Sequence, residues 1–230
     1  MAKKKANKEE VIVDVQEVYS KSEQFFENNK KTLTGIILGL IAVFLLFFVW
    51  NFFFVKPKQE AAVTDLYKSQ MYFLQDSLDL ALNGDDIYSG SEAVAQDFDG
   101  VPAAELASYM TAIAYRDAGD YETALSYFNE VSFDDAIIGV LAEANAGDMK
   151  IEMGDIEGGA STLESAGKRA RSTMSEEFSA PAFLMKAGLA YLELEDYGKA
   201  KEMFKIVKDD YPQARNYEDA VKYLASLNNK

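Results

Sequence analysis

The residues of this chain that could do chemistry are its carboxylates. The sequence of 230 residues holds 38 Asp and Glu against 23 Lys and Arg, with no cysteine and no histidine. That inventory removes thiol nucleophiles, thiolate and imidazole metal sites, Ser-His-Asp triads, disulfides and the histidine pH switch. Paired carboxylates could in principle serve as acid and base, but nothing in the order of residues assembles a nucleophile, a base and an orienting group. The densest acidic stretch, NGDDIYSGSEAVAQDFDG at 83–100, sets Asp85, Asp86, Asp97 and Asp99 near one another. Calcium would need the loop spacing of an EF-hand, and that spacing is absent. The stretch reads instead as a solvated loop with one short helix, Ser91 to Phe98. No catalytic residue, metal site or cofactor is expected, and enzymatic activity is not.

Recognition then falls to the elements around these acids. From Glu105 to Val131 the chain reads ELASYMTAIAYRDAGDYETALSYFNEV, two short helices about a tight turn at Gly119-Asp120. Small and aromatic residues follow a fixed order: Ala112, Tyr115, Gly119, Tyr121, Ala124, Phe128. The same order returns as Gly188, Tyr191, Tyr197, Ala200 and Phe204 about a turn at Glu195-Asp196, with Pro212 ending the unit. Between them lies a weaker copy about Gly154-Asp155, where Gly147, Gly159, Leu163 and Ala166 fall in place but Lys150 stands where the tyrosine belongs. Gly158-Gly159 should weaken its second helix by roughly 1 kcal/mol per glycine relative to alanine. The turns are 35 and then 41 residues apart. This pattern resembles the tetratricopeptide repeat, a helix–turn–helix of about 34 residues that stacks with its neighbours because one unit cannot bury its own apolar face. The repeats fall at about 105–138, 140–173 and 181–214. Pro102 and Pro181 suit helix entries. A last helix, about 213–227, carries Tyr217, Val221 and Leu224 on one face and Arg215, Glu218, Asp219 and Lys222 on the other, as a solenoid cap requires.

In such stacks the first helix of each repeat lines the concave groove. The aligned positions are Tyr109, Ile113 and Arg116 in the first repeat, Ala144, Asp148 and Ile151 in the second, and Met185, Leu189 and Leu192 in the third. The expected groove is apolar and methionine-bearing, suited to extended or helical partner segments. A clamp for a charged peptide tail would need cations, and only Arg116 and Asn145 come near it. The other reading of these side chains is internal packing.

Ahead of the repeats the chain changes character. Residues 1–8, MAKKKANK, form a basic tail. Val11, Val15, Val18, Ser22 and Phe25 recur at helical spacing, with Ile12, Tyr19 and Phe26 beside them, so a helix is expected from Glu9 to about Lys31. It either rests at a lipid interface or docks a cytoplasmic partner. Leu33 to Phe54 holds 22 uncharged residues, which as a helix span roughly 33 Å, enough to cross a bilayer. Trp50 and Phe52 to Phe54 make an interfacial belt, and Pro57 should stop the helix. Lysines close to the span nearly balance, three on each side. Those at 3, 4, 5 and 8 favour a cytoplasmic N-terminus. Residues 59 to about 83 form one further amphipathic helix, with Val63, Leu66, Gln70, Phe73, Ser77 and Leu80 on its stripe. Residues 55–230 carry 16 basic and 32 acidic residues, a net of −16 that repels nucleic acid.

The expected fold is therefore all-α, a single N-terminal transmembrane helix (33–54) behind a tail (1–32) and followed by a repeat solenoid (59–230). This layout resembles the YfgM-like family of anchored periplasmic repeat proteins, ancillary subunits of the Sec translocon. YFLQDSLDLALNGD at 72–85 and AYRDAGDYETAL at 114–125 resemble its Bacteroidota form. The resemblance implies a cytoplasmic-membrane protein with a periplasmic domain. It implies a scaffold or chaperone-like role toward translocated chains, alongside Sec subunits or a periplasmic prolyl isomerase. The alternative is a structural subunit of another envelope complex, for cell division or outer-membrane assembly.

Overall fold

The computed structural model describes residues 15–131, 137–173 and 175–227, with side chains from residue 25 onward. The basic tail lies outside the described residues, as does the start of the expected N-terminal helix with Val11 and Ile12. The chain is all-α, and no β-strand occurs among the described residues. It divides into two units, Met1–Val55 and Lys56–Lys230.

The described residues of the first unit form one helix, α1 (Val15–Trp50), ending in a π-helical turn at Asn51–Val55. It is long and apolar enough to cross a membrane. No break separates Lys31 from Leu33, so the end of the expected amphipathic helix and the span share one helix. Pro57 does not stop helical structure: it is the second residue of α2 (Lys56–Leu74). A proline there has no N–H to leave unsatisfied in the first turn, and the π-turn just before it shifts the hydrogen-bond register.

In the second unit α2 is followed by α3 (Leu78–Asn83) and α4 (Ser91–Asp97). The single helix expected to residue 83 is broken after Leu74, where Asp76 takes a left-handed φ of 58°. The buried face of α2 is Ala62, Leu66 and Ser69, while Val63, expected on the stripe, is 51% exposed. Small side chains at 62 and 69 permit the close approach, and Ser69 Oγ donates to the Ser89 carbonyl at 3.2 Å. The loop between α3 and α4 is held by Asp85, which accepts from the backbone N–H of Ile87 and Tyr88, both at 2.8 Å, and from the Tyr72 hydroxyl at 2.6 Å. These bonds, that of Tyr72 foremost, hold its carboxyl below the usual range.

Three helical hairpins follow: α5 (Pro102–Asp117) with α6 (Tyr121–Glu130), α7 (Ile138–Glu152) with α8 (Ile156–Ala170), and α9 (Glu176–Glu193) with α10 (Tyr197–Asp210). Their turns share one hydrogen-bond pattern. Gly119, Gly154 and Glu195 are left-handed, with φ of 82°, 90° and 59°. The next residue donates its N–H five residues back, Asp120 to Tyr115, Asp155 to Lys150 and Asp196 to Tyr191, at 3.0, 2.9 and 2.9 Å. This closes a Schellman motif. The same aspartates then cap the second helices, accepting from the N–H of Thr123, Gly158 and Lys199.

Packing follows the small residues. A Cβ on Gly159 would lie 2.7 Å from the Gly147 carbonyl oxygen, and one on Gly147 2.9 Å from Leu163 Cγ. Gly159, one of the two glycines expected to weaken α8, thus lets α7 and α8 cross nearly backbone to backbone with Gly147, while Gly158 lies against the Asp155 cap; α8 runs unbroken. Lys150 reaches Thr162 Oγ1 at 2.9 Å, bridging the same two helices where a tyrosine would have packed. Pro181 is not a helix entry. It lies within α9, because residues 176–180 add a turn ahead of it; the bond its nitrogen cannot donate would have gone to Glu177. The cap α11 (Tyr217–Ser226) buries Ala220 and stacks Tyr223 on Phe204, with ring centroids 5.0 Å apart.

Buried and half-buried phenols tie the first and third hairpins to the helices before them and tie α10 to α9 within the third. Tyr115 and Tyr127 both donate to Glu92 Oε1 at 2.9 Å, Tyr191 to Glu164 at 2.6 Å and Tyr211 to Glu176 at 3.0 Å. Burial above all, with the carboxylate partner adding, pushes Tyr127 and Tyr211 up to about 12. A raised folded pKa means the neutral phenol is favoured by folding. Its contribution is whole below the unfolded value of about 10 and is lost as pH climbs toward about 12. Denaturant midpoints should therefore fall steeply above about pH 10. Tyr127→Phe and Tyr211→Phe should be weaker at neutral pH but show a shallower alkaline fall. An alkaline slope unchanged in both variants would refute the assignment.

Candidate functional site

The first helices α5, α7 and α9 border a groove of about 540 Å³ that runs across all three hairpins. Arg116 and Asp117 come from the end of α5, Asn145, Asp148, Ile151 and Glu152 from α7, and Lys186, Leu189 and Glu193 from α9. Counted from Asn145 on α7 the spacings are i+3, i+6 and i+7, and from Lys186 on α9 they are i+3 and i+7, so each of these sets lies along one side of its helix; Arg116 and Asp117 are neighbours at the end of α5.

The groove brings together Arg116, Asp148 and Leu189 of the expected binding residues, with Ile151 beside them. It does not gather the rest. Ile113 is 9% exposed and Met185 6%, and Ala144 is buried. Tyr109 is half-buried, its ring edge-on to Phe128 at 5.8 Å. Leu192 packs against the core that runs from Val140 to Leu227. The reason is geometric. A first helix flanked by its own partner and by the neighbouring hairpins keeps only a narrow arc free, so residues one helical step to either side are covered.

The groove also departs from the expected apolar character. Its floor has Ile151 and Leu189, the latter 40% exposed, but its rim is ionic. Lys186 Nζ meets Asp148 Oδ2 at 2.6 Å, joining α9 to α7. Arg116 donates through Nη1 to Asn145 Oδ1 at 3.0 Å, joining α5 to α7, and lies 2.7 Å from Asp117. Asn145 in turn donates to the Leu141 carbonyl at 2.8 Å. Exposed pairs of this kind add little stability, about 0–1 kcal/mol each; they fix the orientation of the side chains that a partner would meet. The charged residues that sequence reading missed are Asp117, Glu152, Lys186 and Glu193. Their signal was present, as charges at i+4 of Asp148 and i+7 of Lys186 on the first helices.

The tetratricopeptide-repeat family model matches residues 106–132 and 182–214. Those segments coincide with the first and third hairpins, whose turn chemistry and small-residue contacts are described above. They are tetratricopeptide repeats. The intervening hairpin α7–α8 shares their Schellman turn and aspartate cap and stacks between them. No curated protein and no solved structure matches the chain. Tetratricopeptide repeats are protein-interaction scaffolds, and the same chain carries a helix apolar enough to span a membrane.

Proposed function

We propose that this protein is a membrane-anchored interaction scaffold that holds partner proteins or translocated chains beside the Sec translocon, with a chaperone-like role. The observation that carries the reading is the groove across α5, α7 and α9, borne by a chain whose N-terminal unit could anchor it in a bilayer. The resemblance to the YfgM-like family in its Bacteroidota form supports the translocon as the location and a periplasmic prolyl isomerase as a neighbour. The groove residues Arg116, Asp148, Ile151 and Leu189 make the contact. Tyr109, Ile113, Met185 and Leu192 hold the first helices that present it.

The lysines at 3, 4, 5 and 8 support a cytoplasmic N-terminus, with residues 59–230 in the periplasm and the anchor in the cytoplasmic membrane. Protease added to spheroplasts should trim the protein to a short fragment containing Leu33–Phe54, whereas a fully protected C-terminal domain would overturn the topology. Val43→Asp, near mid-span, should weaken insertion by roughly 2.5–3.5 kcal/mol. Partner identity is tested by crosslinking in intact membranes, mild detergent extraction and mass spectrometry, with Leu189→Asp as the groove control. Recovery of Sec subunits, lost in that variant, supports the reading. Recovery of division or outer-membrane assembly proteins moves the scaffold to another envelope complex.

A further inference from the structure

The groove is unevenly charged. Its walls carry two cations, Arg116 and Lys186, against four carboxylates, Asp117, Asp148, Glu152 and Glu193. Both cations are engaged by neighbours, Arg116 by Asp117 and Asn145, and Lys186 by Asp148. Glu152 and Glu193 are exposed, and among the described residues neither makes an ion pair or a side-chain hydrogen bond. Glu152 follows Ile151 on α7, and Glu193 lies one turn beyond Leu189 on α9. Apolar floor and free carboxylates therefore occupy the same two walls.

A partner segment entering this groove must satisfy both. An acidic segment would face a net negative rim whose cations are already neutralised, and burying its charge there would be unfavourable. A purely apolar segment would desolvate Glu152 and Glu193 without replacing their water. A lysine or arginine beside an apolar side chain meets each requirement, through charge-assisted bonds to carboxylates and contact with Ile151 and Leu189. We infer that the groove selects extended partner segments in which an apolar side chain sits next to a lysine or arginine, the cation held between Glu152 and Glu193. This rests on the reading of the groove as the partner-binding surface.

The test uses the full-length protein in zwitterionic lipid nanodiscs. It measures fluorescence anisotropy of short labelled peptides in which leucine alternates with lysine, serine or glutamate, with empty nanodiscs subtracted. The lysine peptide should bind at least about tenfold more tightly than the serine peptide, the weight of one charge-assisted contact. Glu152→Gln with Glu193→Gln should erase that preference. Glu152→Lys with Glu193→Lys should invert it toward the glutamate peptide, an outcome that misfolding cannot mimic. Glu122→Gln with Glu157→Gln, exposed acids on α6 and α8, should leave it intact. Equal binding of lysine and serine peptides, or no binding of either, overturns the inference. So does an equal loss in the α6 and α8 variant, which would assign the attraction to the net charge of the domain. The crosslinking loss in Leu189→Asp is read separately. If it persists while the peptides show no preference, the groove remains the binding surface and only its basic selectivity falls.

Discussion

Gly188→Leu should lower the melting temperature of the repeat domain by roughly 2–12 °C, from overpacking of about 1–3 kcal/mol in a domain of this size. Gly188 sits in α9 where it crosses α10. A Cβ added there would lie 2.5 Å from Phe204 Cε1 and 2.9 Å from Cδ1 and Cζ. The ring has little room to yield. Phe204 is fully buried and has Tyr223 stacked on its ring at an interplanar angle of 16°. Displacing it also loosens α11, the helix that closes the solenoid. Even Gly188→Ala should be destabilising, although alanine is the better helix former. Ala124→Trp should behave like Gly188→Leu, since Ala124 is wholly buried in the first repeat. Lys222→Ala is the contrast. Lys222 extends into solvent and, among the described residues, its ion pair is with Asp219, one turn away at 3.0 Å, so its loss should stay within about 0.5 kcal/mol. Thermal melts of Gly188→Leu, Ala124→Trp and Lys222→Ala would settle the matter; indistinguishable melting temperatures would mean that these helices do not cross where the repeat register puts them.

What could be read from the sequence tracks how local its cause is. The Gly-Asp turns were legible because a left-handed residue followed by a capping aspartate is a property of four or five consecutive residues. Even Glu195, which lacks glycine's freedom, was betrayed by Asp196 after it. The small-residue crossings at Ala124, Gly147, Gly188 and Ala200 were legible because a repeat fixes its own internal contacts. Legibility failed where a second element decides. Pro181 looked like a helix start, and only the chain before it, wound into a further turn, makes it internal. Val63 looked buried by periodicity, but α2 presents Ala62, Leu66 and Ser69 to its neighbours instead. The groove failed in the same way. The free arc of α9 is set by α7, α8 and α10 together, and it falls on Lys186, Leu189 and Glu193 rather than on Met185 and Leu192.

That shift separates two positions that the repeat register treats as equivalent. Ile113→Asp should unfold or severely destabilise the domain, whereas Leu189→Asp should leave it folded and abolish partner crosslinks. Ile113 is almost wholly buried in α5. Replacing it removes roughly 1.5–3 kcal/mol of apolar burial and leaves a carboxylate in the interior, which adds several kcal/mol unless a cation meets it. The nearest candidate, Arg116 one turn on, is already bound to Asp117 and Asn145. Together these terms rival the whole stability of an ordinary domain, about 5–15 kcal/mol, so lost helicity is the expected circular-dichroism result. Leu189 is half open to the groove, so an aspartate there stays hydrated in the free protein and forfeits little packing. Its effect appears only when a partner must cover it, where it adds a fifth carboxylate to the groove and leaves Ile151 without its apolar neighbour on α9. Melting curves and membrane crosslinks measured on both full-length variants decide the assignment. If Ile113→Asp melts like the unsubstituted protein and loses its crosslinks, α5 faces the partner through Ile113 and the groove extends further into the first repeat. If Leu189→Asp keeps every crosslink, the binding surface lies elsewhere on the solenoid, and the exposed acidic loop between α3 and α4 becomes the surface to mutate next.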